Sequence, residues 1–150
     1  NVTEGTPLGI EAKRYMDAGE YVPDGVTNAM VRDRLAQDDC KPGFLLDGYP
    51  RTLEQVGELD SMLSAGGVAI DRAVELTVDV DEVVTRLVKR AQEQGRADDT
   101  EDVIRRRLEV YAEQTAPLTA LYAERNVLVQ VDGMGAVEDV TARLLEVLGA

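Results

Sequence analysis

Residues 44–55 read FLLDGYPRTLEQ. An apolar run closes on an acid, a glycine–tyrosine–proline–arginine turn follows, and a helix start comes next. With Gly43, the run is too short and too apolar for a surface helix, so residues 43–48 read as a buried strand. Thr52 and Gln55 have the spacing of a capping box, which opens a helix to about Ala65. A strand, a tight turn and a helix in that order are the unit from which parallel α/β sheets are built.

The rest of the chain repeats that alternation. Thr6 and Pro7 read as N-cap and first turn of a helix to about Ala18, stopped at Gly19. A second helix spans about 24–36, with Val26, Met30, Val31 and Leu35 on its apolar side. RAVELTV (72–78) and VLVQVDG (127–133) read as two further strands. DEVVTRLVKRAQEQ (81–94) is helical, and GRADD (95–99) breaks it. A longer helix from about Thr100 is bent or interrupted at Pro117. Val137, Val140, Leu144, Val147 and Leu148 mark a closing amphipathic helix.

The 150 residues make one domain's length, and 44% hydrophobic content is enough for a core. No apolar stretch approaches the roughly 20 residues of a membrane span, and there is no signal-peptide pattern. The single cysteine, Cys40, allows no internal disulfide. With no histidine present, a Cys/His zinc site is excluded. Together these point to the cytosol. The net charge of −13 argues against nucleic acid and anionic membranes as partners. A small anionic ligand is still compatible, because charges beyond roughly 8 Å are largely screened at physiological salt and a local arginine cluster outweighs the global field.

Asp47 falls at the carboxyl end of the expected strand, where open α/β sheets bind ligands. It either positions a hydrated Mg²⁺ beside phosphates or accepts backbone N–H groups within the turn. Arg51, just before a helix N-terminus, suits an anion; the alternative is a solvated loop arginine. Gln55 either completes the capping box or reads a base. In TEDVIRRRLEVY (100–111), Arg105 and Arg106 have acids at helical spacing. Arg107 has Val103 and Tyr111 four residues away and no local acid. It either snorkels along the surface or meets an anion supplied from elsewhere. GRADD reads as a mobile lid or an ordinary exposed turn. Gly133 and Gly135 permit close backbone approach, as a plain strand-to-helix turn also requires.

Taken together, GFLLDGYPRTLEQ, GRADDTEDVIRRRLEVYAEQTAPL and EAKRYMDAGEYVPD resemble the adenylate kinases, nucleoside monophosphate kinases of the P-loop class. The resemblance covers essentially all 150 residues and is most specific in the first of these stretches. It implies a parallel-sheet P-loop nucleoside-monophosphate-kinase fold with helices on both faces. It also implies an AMP-binding subdomain that includes residues 1–22 and a short lid over 90–98. The implied reaction is Mg²⁺-dependent, reversible transfer of a phosphoryl group from ATP to AMP, giving two ADP, by a cytoplasmic monomer without zinc.

By the same resemblance Asp47 holds the Mg²⁺ shell through water. Glu20, Tyr21 and Val22 contact AMP through backbone, and Gly48, Tyr49, Pro50 and Arg51 line its site. Arg51 takes the AMP phosphate and Gln55 the adenine. Arg96 and Arg107 clamp phosphates during transfer, so that Arg51, Arg96 and Arg107 form the catalytic set. Arg90 covers the ATP adenine, Arg86 assists, and the backbone around Gly135 touches the ATP base. The alternatives are a kinase for another nucleoside monophosphate, or a non-catalytic nucleotide-binding fragment.

One departure from the family pattern is large. The sequence has no G-x-x-x-x-G-K-[ST] loop; Lys13, Lys41 and Lys89 follow Ala12, Cys40 and Val88. The expectation is that about 35 to 40 residues, one strand–loop–helix–strand unit, precede Asn1 in a longer enzyme. The other possibility is a partner that replaces the central strand. An intact mass equal to 16.4 kDa would argue against the longer enzyme, and a chain that does begin at Asn1 is expected to show no phosphoryl transfer.

Overall fold

The computed structural model describes residues 1–17, 22–94 and 101–149, without the side chains of Gln94 and Arg107. The expected stop of the first helix at Gly19 and the GRADD break lie outside the described residues. The chain divides into two compact units, residues 1–69 and 70–150.

The first unit is helical. Helix α1 spans Pro7–Asp17, α2 Asp24–Leu35 and α3 Leu53–Ser64. Thr6 caps α1 as expected, its hydroxyl accepting the Gly9 N–H at 3.1 Å. Helix α1 packs on α2, and α2 on α3. Ala12, Val26, Val56, Leu59 and Leu63 on these helices are buried. Beyond α2 a single 3₁₀ turn, Asp38–Cys40, is tied back by Arg34, which pairs with Asp39 at 2.8 Å. That hydrogen bond holds the Asp39 carboxyl below its ordinary value.

One expectation is corrected here. Residues 43–46 have no regular structure and residues 47–48 form a bend. No strand is present among the described residues of the first unit. The physical reason is pairing: a strand exists only through the N–H and C=O groups of a neighbour, and this segment has no strand in its own unit to pair with. Leu45 is accordingly 79% exposed instead of lying on a covered sheet face.

The second unit is α/β. Strand β1, Ala73–Thr77, pairs in parallel with β2, Leu128–Asp132, placing Val74 opposite Val129 and Leu76 opposite Val131. Between them run α4 (Val80–Gln94), α5 (Glu101–Val110) and α6 (Ala116–Glu124); α7 (Val137–Leu148) closes the chain. Residues 90–94 of the expected lid continue α4, and its remaining residues lie outside the described ones. Pro117 has the expected effect. It lacks an N–H and its ring crowds the carbonyl four residues earlier, and the chain absorbs this in a π-helical turn at Tyr111–Thr115. Helices α6 and α7 pack on β2, and α4 on α5. Val84, Ile104, Leu118, Tyr122 and Val131 are buried. The expected covering of both sheet faces is incomplete at β1, where Val74 and Leu76 are 38% and 46% exposed. No helix among the described residues is long and apolar enough to cross a membrane.

Candidate functional site

In the first unit the site residues lie on the turn entering α3. Gly48 has φ +73° and the Tyr49–Pro50 peptide is cis. The Arg51 Nε donates to the Gly48 carbonyl at 2.6 Å, which folds the arginine back over the turn. A Cβ on Gly48 would stand 2.8 Å from Arg51 Nη2. Gly48→Ala is therefore expected to displace that guanidinium and to cost about 1 kcal/mol for the left-handed backbone alone. Denaturant midpoints check the second effect; an unchanged midpoint would contradict it.

Thr52 caps α3, its hydroxyl accepting the Gln55 N–H at 3.2 Å. The returning arm of the capping box is shifted by one residue. The Gln55 Oε1 accepts the N–H of Arg51 at 2.7 Å, instead of that of Thr52. At the other end of the amide, Gln55 Nε2 donates to Asp24 Oδ1 at 2.7 Å. Thr52 Oγ1 donates to Asp24 Oδ2 at 3.3 Å. Gln55 is 5% exposed, so both ends of a buried amide are hydrogen-bonded. Tyr49, also buried, donates its hydroxyl to Asn28 Oδ1 at 2.9 Å.

Neither Asp24 nor Asn28 was among the residues expected at the site. Asp24 is an acid in the first turn of α2. Asn28, four residues on and at helical spacing from the apolar Val31, was the detectable signal; it is 8% exposed. Asp47 is exposed at the bend. Among the described residues there is no cluster of three or more His, Cys, Asp or Glu that could hold a metal. Val22 is half-buried just before α2; Glu20 and Tyr21 lie outside the described residues.

In the second unit the candidates are distributed over α4, α5 and the turn after β2. Arg86 pairs with Glu82 at 2.7 Å and donates to the Gly133 carbonyl at 3.4 Å. Arg90 is half-buried one turn further along α4. Gly133 is buried, and a Cβ there would lie 2.8 Å from Val78 Cγ1. Gly135 has φ +102°. Arg143, which was not among the expected site residues, braces this turn by donating to the carbonyls of Asp132 and Met134 at 2.7 and 2.8 Å. Arg105 pairs with Glu101, as the spacing indicated, and Arg106 with Glu109, both at 2.8 Å. Arg107 is within α5. Arg96 lies outside the described residues.

Comparisons with known proteins agree on one family. A family model described as adenylate kinase matches residues 1–127. An adenylate kinase of Nocardioides sp. is 64% identical over 148 residues, covering 99% of this chain and 78% of the relative. An adenylate kinase of Kocuria rhizophila is 59% identical, with 99% and 79% covered. One of Renibacterium salmoninarum is 57% identical over 145 residues, with 97% and 75% covered.

Proposed function

The chain belongs to the adenylate kinase family, and from that premise we propose which of its residues meet AMP, ATP and Mg²⁺. The activity is the family's: a nucleotide phosphotransferase reaction between ATP and AMP that yields two ADP. The turn at residues 47–55 is its acceptor side. What supports this is the position of Arg51, held over a glycine turn at the N-terminus of α3, where the guanidinium and the helix dipole favour the same anion. Arg51 takes the phosphate of AMP and Gln55 its adenine. Gly48, Tyr49 and Pro50 line the site, and the backbone of Glu20, Tyr21 and Val22 adds contacts.

Asp47 suits Mg²⁺ of a particular kind. A lone exposed carboxylate cannot form a protein cage. Mg²⁺ needs none, since it keeps several waters and takes its other ligands from nucleotide phosphates. When bound, it neutralises charge on the transferring phosphates. Arg96 and Arg107 add fixed positive charge that does not have to reorganise during the reaction. Arg86 and Arg90 on α4, and the backbone at Gly135, serve ATP. The protein acts as a cytoplasmic monomer.

An acceptor panel tests the substrate assignment. With Mg²⁺–ATP, the natural protein is expected to phosphorylate AMP at least about 100-fold more efficiently than GMP, CMP or UMP. Such a ratio lies within what hydrogen-bonded base recognition supplies. A preference for another monophosphate would replace AMP as the substrate.

A further inference from the structure

We propose that Asp24 is a positioning residue that fixes the polarity of the Gln55 amide, and thereby makes the acceptor site select adenine over bases with the opposite edge. The proposal rests on the reading that Gln55 faces the base. A side-chain amide is nearly symmetric in shape and can present its oxygen and nitrogen either way round. Here the two ends are held by partners of opposite character. The carboxylate of Asp24 only accepts, and it takes Nε2 at 2.7 Å. The backbone N–H of Arg51 only donates, and it gives to Oε1 at 2.7 Å. Turning the amide over would set two acceptors face to face at one end and two donors at the other. At 5% exposure little solvent reaches those two ends to soften that mismatch.

The carboxylate is itself fixed. Its second oxygen accepts the Thr52 hydroxyl at 3.3 Å, and Thr52 caps the same helix that carries Gln55. Asp24 lies in the first turn of α2, so the latch joins the start of α2 to the start of α3. Each end of the amide has one hydrogen-bonding position left: an acceptor on Oε1 and a donor on Nε2. Those complement the 6-amino group and N1 of adenine. Hypoxanthine and guanine carry an acceptor at position 6 and N1–H, which is the reverse pattern, and would require the flipped amide.

Binding of AMP and IMP to the natural protein, by titration calorimetry, tests this. The wild-type protein is expected to prefer AMP. Asp24→Asn keeps the shape but can offer either a donor or an acceptor, so it releases the flip. The AMP-to-IMP affinity ratio is expected to fall about tenfold in that variant. An equal weakening of both nucleotides would mean that Asp24 has only a structural role and would overturn the proposal, as would an unchanged ratio. Gln55→Ala separates the underlying reading. If it collapses the ratio while Asp24→Asn does not, Gln55 reads the base without the latch. If Gln55→Ala leaves the ratio intact, the reading of Gln55 fails and the proposal with it. Should Asp24→Asn not fold, Asp24→Ser, which also removes the fixed acceptor, is read in the same way.

Discussion

Arg107→Ala is expected to lower kcat about 1,000-fold with ATP and AMP, which is the low end of what a transition-state arginine contributes to phosphoryl transfer. Arg105 and Arg106 are adjacent in sequence to Arg107, yet both pair with acids on their own helix, Glu101 and Glu109. Arg107 has apolar or aromatic residues at the corresponding positions, Val103 and Tyr111. With no acid at helical spacing in the sequence, Arg107 is the arginine of α5 that we propose meets the phosphates. Two controls make the test specific. Arg105→Ala removes an exposed surface pair and is expected to change kcat by no more than a few-fold. Arg107→Lys keeps the charge but loses the planar fork, and is expected to recover part of the rate. Equal losses in Arg105→Ala and Arg107→Ala would refute the assignment.

Arg51→Ala is expected to raise the KM for AMP about 100-fold, the equivalent of one charge-assisted bond to a phosphate, while leaving the KM for ATP within a few-fold. The asymmetry is the point of the measurement. Arg51 is anchored by its own turn, through the Gly48 carbonyl, and so its loss should not propagate far. Steady-state kinetics with each substrate varied in turn would show the split. If both KM values rose together, Arg51 would be supporting the fold or the ATP side instead.

How much of this was legible in the sequence depended on the range of the interaction concerned. Local devices were readable: the Thr6 cap, the Thr52 cap, the interruption at Pro117 and the Arg105–Glu101 pair all depend on residues within a few positions of each other. That residues 43–48 form no strand was not, because apolar character predicts burial but pairing needs a partner, and the first unit contains no strand among its described residues. The one-residue shift in the capping box was not legible either. Gln55 reaches the Arg51 N–H because Asp24, 31 positions earlier, takes the other end of its amide. No spacing rule encodes a contact of that separation. Asn28 was halfway visible: a polar residue beside an apolar helical stripe announces a buried partner without saying that it is Tyr49.

We propose above all that residues 47–55 form the AMP side of an adenylate kinase site. A crystal structure of the natural protein with AMP tests it most directly. The phosphate is expected within ion-pair distance of Arg51 and the adenine edge against the Gln55 amide, with Nε2 on N1 and Oε1 on the 6-amino group. AMP bound away from this turn, with Arg51 and Gln55 untouched, would contradict it.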